Sequence, residues 1–152
     1  MTEVGERIED ARVQEVHLRN IVVAHFHATS QYHDELMREL RLIQASPTND
    51  ARLNELAELL VSEFFDFVPA IREAVERAEL AGRTELDLTV FIAPETRRWL
   101  MRFRDHFREI DAFCEMGRLL ALGSPGVAVV FREWILGELI SQLEGGPPHA
   151  YQ

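Results

Sequence analysis

The sequence predicts an all-α protein, a bundle of four to five helices with one short extended segment at about Leu86–Ile92. Three observations carry that prediction. Apolar residues recur every three or four positions over long stretches, above all Leu53, Leu56, Leu60, Phe64, Phe67, Ile71, Val75 and Ala78, the stripe a helix presents to a core. Compact stop signals separate the stretches: Ser46-Pro47-Thr48-Asn49-Asp50, Gly82, Pro94 and Ser124-Pro125. One stretch changes period, where Leu86, Leu88, Val90 and Ile92 alternate with Asp87, Thr89 and Phe91 as in a strand.

The first helical region is read from about Glu6 to Gln44. Ile8, Val13, Val16, Ile21, Val22 and Phe26 follow no single stripe, whereas Tyr32, Leu36, Leu40 and Ile43 share one face. Thr29 and Ser30 weaken the middle, so the region is one long helix or two joined near Thr29. Asn49 or Asp50 caps the second region, Ala51 to Ala81. Pro69 removes a backbone donor and clashes with the preceding turn, which predicts a kink or restart near Phe67; Gly82 closes the helix.

A lone strand over Leu86–Ile92 has no hydrogen-bonding partner in a helical bundle. It is expected to drape along the bundle with solvated backbone, or to pair with another strand, within the chain or in a second copy. Pro94 opens a third helix, Glu95 to about Arg118, with Trp99, Phe103, Phe107, Ile110 and Cys114 inward. Ser124 caps and Pro125 begins a fourth, which carries Val130, Trp134, Leu136, Ile140 and Leu143 and runs to Glu144. Gly145-Gly146-Pro147-Pro148 stops it. With no internal repeat and no long linker, residues 1–152 read as a single helical domain with flexible ends at about 1–5 and 145–152.

Charge narrows the function classes. Twenty-six acidic residues against sixteen basic ones leave a net charge of −10, which repels phosphate backbones and anionic headgroups. Neither nucleic acid nor a membrane is therefore expected as a partner. All sixteen basic residues are arginine. Without lysine there is no P-loop and no Schiff-base nucleophile, and the positive charge suits pairing with carboxylates. Cys114 is the single cysteine, which rules out an internal disulfide and a thiolate cluster. The acidic start lacks the signal-peptide pattern and no apolar run approaches the ~18 residues of a span, so the expected location is cytoplasmic.

No constellation assembles a catalytic site, and the chain is read as a non-enzyme with no metal and no cofactor. His17, His25 and His33 recur every eight residues, but a helix turns ~100° per residue, so they drift around its surface. No His-x-x-x-His and no Glu-x-x-His pair is present. His33-Asp34 has the local look of a phosphoacceptor histidine oriented by the following acid, against the simpler alternative of a solvated helix face. Cys114 lies on an apolar stripe beside Phe113, as a buried inert thiol would. The aromatic residues are sufficient to line a cavity for a small molecule, or for haem held by one axial histidine.

Tyr32-His33-Asp34-Glu35-Leu36-Met37-Arg38-Glu39-Leu40 resembles the opening of a helical module of actinobacterial ATP-binding regulatory proteins. In those proteins the module accompanies an ATPase of the anti-sigma-factor serine kinase and histidine kinase type. Leu86-Asp87-Leu88-Thr89, Asp111-Ala112-Phe113-Cys114, Leu119 to Pro125, Phe131 to Leu143 and the Gly-Gly-Pro-Pro tail are similar in the same way, so the resemblance spans roughly Ile21 to Pro148. The ATPase domain itself is missing. The resemblance implies a regulatory module in bacterial signalling, docking a sigma factor, an anti-sigma factor or a kinase-type ATPase. Helix faces and the segment bearing Leu86, Leu88, Val90 and Ile92 would supply the docking surface. A homodimer is a further expectation, because the first region carries more apolar residues than one stripe needs. The alternatives are a sensory domain binding a small molecule or haem in its aromatic core, and a phosphotransfer protein using His33.

Overall fold

The computed structural model describes residues 13–63, 65, 67–117, 119 and 126–152. In chain order these form β1 (Gln14–Val22), α1 (Val23–Ala45), α2 (Ala51–Ser62), α3 (Val68–Leu80), β2 (Glu85–Ile92), α4 (Thr96–Glu115) and α5 (Gly126–Leu143). The protein is mostly helical but not all-α. β1 and β2 pair antiparallel, with Gln14 opposite Ile92 and Val22 opposite Glu85.

The extended segment is therefore neither draped nor alone: its partner is a strand from the region read as the start of the first helix. β1 escaped notice for a local reason. Val16 and Leu18 alternate as strand residues should, but the register shifts between Leu18 and Ile21, and Asn20 takes a φ of 62°. That bulge puts Leu18 and Ile21 three residues apart on the same buried face, which mimics helical spacing. Asparagine tolerates this left-handed backbone better than most residues, and Asp87 Oδ1 accepts its N–H at 2.8 Å. Ile8 lies outside the described residues. Val16, Leu18 and Ile21 are fully buried within the chain, so the surplus apolar residues that suggested a dimer are spent on its own core.

The other elements start and stop largely where their residues dictate. Thr29 and Ser30 do not interrupt α1, which is continuous. Asp50 caps α2 by accepting from the N–H groups of Arg52 and Leu53. The restart near Phe67 is present: α2 ends at Ser62, Phe67 is the N-cap of α3, and Pro69 sits in its first turn. Gly82 follows α3 at a φ of 74°. Trp99 and Val130, expected inward, are about half exposed, and Leu100 takes the core position beside Trp99. Ser124 and Pro125 fall outside the described residues.

The apolar side chains form two clusters. One gathers the sheet, α3, the start of α1 and most of α5, including Val16, Phe26, Ile71, Leu100 and Phe131. The other gathers α2, the rest of α1 and the second half of α4, including Leu36, Leu40, Leu56, Phe107 and Ile110. α1, α4 and α5 contribute to both, and Phe103 packs against both.

The outer edge of β1 is covered by α5 and the tail. Gln142 offers its amide as a substitute strand: Nε2 donates to His17 O and Oε1 accepts His17 N–H, each at 2.8 Å. Tyr151 N–H donates to Arg19 O at 3.0 Å, and Asn20 Nδ2 donates to Tyr151 O at 2.8 Å. The tail was expected to be a flexible end. Instead Tyr151 is buried against His25, Phe131 and Trp134, because the glycines after α5 turn the chain back and its aromatic ring has a core site to fill. Replacing Gln142 by Ala leaves two backbone groups of β1 unmatched. Urea denaturation should show a loss of about 2–3 kcal/mol, with little change if the clamp is dispensable.

Candidate functional site

A cavity of about 520 Å³ opens at the seam between the two clusters. Its wall draws Phe26 and Tyr32 from α1, Leu60 from α2, Ile71 from α3, Phe103 and Phe107 from α4, and Phe131 and Leu139 from α5. Phe65 and Phe67, from the α2–α3 break, complete the aromatic lining. Six of the nine phenylalanines thus face one space. Phe65 and Phe67 stack on each other, and the other rings pack edge to face or tilted, with Phe65–Phe103 centroids at 5.2 Å and Phe103–Phe107 at 4.7 Å.

Local sequence explains why the space exists. Thr29, Ser30 and Ala128 present small side chains to it. Thr29 Oγ1 donates back to His25 O at 2.8 Å, which satisfies the hydroxyl without filling the gap. Residues taken in the sequence as helix weakeners serve here as spacers. The helix breaks between α2 and α3, and each of the two packs into one cluster only.

Polar groups at the wall are few and unequal. Arg132 is buried, with 7% of its surface exposed. It donates through Nη2 to Asp111, stacks its guanidinium 5.0 Å above the Phe107 ring, and leaves a buried Nε with no hydrogen-bond partner. His33 is half-buried and stacked on the same Phe107 ring at 5.5 Å. Burial pushes its pKa below the ordinary 6.5; Asp34 opposes that shift, and the charges of Arg132, Arg72 and Arg41 add to it. Glu63, near the helix break, has its carboxyl pushed up by burial. Arg72, Glu73 and Glu76 lie on exposed turns of α3 at the rim.

The structure brings only some of the sequence candidates to this place. His33 is a wall residue of the cavity and not part of an open helix face. Leu86, Val90 and Ile92 are buried in their own core and Leu88 is half-buried; Phe91 is the large apolar residue that the segment exposes. Cys114 is buried, its Sγ 3.6 Å from the Tyr32 hydroxyl, and its pKa is pushed up by burial, which leaves little thiolate. The other histidines with recorded contacts have separate partners: Thr89 for His17, Tyr151 for His25, Glu79 for His27 and Glu138 for His149. Among the described residues no group of three or more His, Cys, Asp or Glu could hold a metal ion. Nor is any described helix long and apolar enough to cross a membrane.

Arg132 was not singled out from the sequence. One signal pointed to it: an arginine set in the middle of the most apolar helix, between Phe131 and Trp134. No protein-family model, no curated protein and no solved structure matches the chain.

The lowered His33 pKa makes stability depend on pH. As pH falls through 6.5 the unfolded chain takes up a proton that the folded ring refuses, so stability is intact above that value and declines below it. Urea denaturation stepped from pH 7 to pH 5 should show a steeper loss for the wild type than for His33→Leu. Parallel slopes would mean that the folded ring titrates like a free one.

Proposed function

We propose that this protein is a regulatory domain that binds a small, largely apolar molecule in the cavity between its two core clusters. The observation that carries the proposal is the cavity itself. Its volume lies inside the range of roughly 300–1,000 Å³ common to small-molecule sites, and its wall combines many apolar side chains with a few convergent polar ones. Protein interiors are normally close-packed, and a space of this size forgoes the dispersion contacts of its aromatic lining unless something occupies it.

A ligand seated at the seam touches both clusters and would bias their relative placement, which is how occupancy can be read elsewhere on the molecule. The regulatory half of the proposal rests on the resemblance of the Tyr32–Leu40 and Phe131–Leu143 stretches to the helical module of ATP-binding regulatory proteins. Its support in the fold is the exposure of two large aromatic side chains, Phe91 at the end of β2 and Trp99 at the start of α4. A sigma factor, an anti-sigma factor or a kinase-type ATPase of the cytoplasm would be the partner.

The direct test uses N-phenyl-1-naphthylamine, a neutral dye that brightens in apolar cavities. Saturable binding is expected for the wild type. Ser30→Trp, which fills the cavity from its half-buried rim, should weaken binding by about tenfold or more while the circular dichroism stays unchanged. A dye that does not bind, or binds equally to a folded Ser30→Trp, refutes the site.

A further inference from the structure

We infer that the molecule this cavity takes is an apolar carboxylic acid whose head group is received by Arg132. The inference rests on the small-molecule reading above and adds the chemistry of the occupant.

Arg132 is a buried cation in an apolar wall. Nη2 is committed to Asp111 and the guanidinium face to Phe107, yet Nε is buried without an acceptor. A buried donor left unmatched is costly, and the surrounding rings cannot supply an oxygen. Arg132 is part of the cavity wall, so a small turn of its side chain would bring this donor to an oxygen seated there. A carboxylate is the best fit, because its charge-assisted bond to a guanidinium is stronger than that of a neutral carbonyl or hydroxyl.

Neighbouring charges point the same way. Arg132, Arg72 and Arg41 all act on the His33 ring with positive sign, opposed there by Asp34. Arg72 stands with Glu73 and Glu76 on exposed turns of α3 at the rim, where these charges offset one another and Glu73 lies 3.7 Å from Arg77, so the buried end is governed by Arg132. An amine head would meet a guanidinium at the buried end. A phosphate would bring more charge than one guanidinium already shared with Asp111 can balance. Apart from His33, the hydroxyls of Thr29, Ser30 and Tyr32, and Glu63, whose carboxyl is pushed by burial towards its neutral form, the rest of the wall is ring or aliphatic chain, so the body of the ligand must be largely apolar.

The test is competition against bound N-phenyl-1-naphthylamine at pH 7.5 by decanoate and by 1-decanol, which share a chain and differ in the head. Decanoate should displace the dye at about tenfold lower concentration or less than that of the alcohol. In Arg132→Lys, which keeps a cation for Asp111 and loses the Nε donor, the preference should shrink severalfold even if the fold is loosened, since loosening affects both competitors alike. Equal displacement by the two in the wild type overturns the carboxylate and leaves the cavity reading standing. A preference that persists undiminished in Arg132→Lys overturns the assignment to Arg132. Failure of the dye itself to bind defeats the cavity reading, and this inference with it.

Discussion

The division of the core into two clusters is the constraint on which the rest of the structure depends. A chain of this length usually closes around one core. Here α1, α4 and α5 cross both clusters, while α2 serves one and α3 serves the other. The break between α2 and α3 assigns each to its own cluster, because Pro69 disfavours a helix running on from Ala51. A continuous helix could have served both clusters, as α1, α4 and α5 do. Instead the chain turns at the seam, and Phe65 and Phe67 from the turn become its wall.

Polar interactions hold the elements in place around this seam. Arg52 grips Glu109 through Nε at 2.6 Å and Nη2 at 2.7 Å, and Arg108 reaches Glu133 at 2.5 Å, so α2, α4 and α5 are registered by forked pairs. These pairs are substantially exposed, and their value lies in orientation more than in stability. The interior contacts matter more. Gln142 stands in for a missing strand beside β1. Glu138, itself buried, accepts Gln142 Nε2 at 3.0 Å and His149 N–H at 2.7 Å, tying the tail and α5 together. Arg132 belongs to the same helix but leaves one donor unmatched. Arg104 on α4 likewise buries an unmatched Nε, but Arg132 alone of the two lines the cavity.

Much of the helical framework was legible, since long stripes at three- and four-residue spacing and sharp stop signals specify helices wherever they occur. Asp50 as a cap, the restart at Phe67 and the strand period of Leu86–Ile92 all follow from local chemistry. β1 was not legible, because the bulge at Asn20 breaks its alternation and the chain passes from Val22 into α1 with no turn residue between. The burial of Tyr151 is a tertiary effect: a tail of glycine and proline reads as loose until a site for its aromatic residue is known. The site was half visible. Aromatic richness suggested a cavity and His33 was singled out, though for a different chemistry. Arg132 and the small residues Ser30 and Ala128 gain meaning only when five elements meet at the seam, and no spacing within one element encodes that.

The central claim is that a small apolar molecule occupies this seam and touches both clusters. Nuclear Overhauser contacts between N-phenyl-1-naphthylamine and the aromatic protons of the bound protein test it most directly. The structure predicts contacts to Phe26 and Phe131 from one cluster together with Phe107 from the other, all in one complex. Contacts confined to Phe91 and Trp99 on the surface, or to one cluster alone, would contradict it.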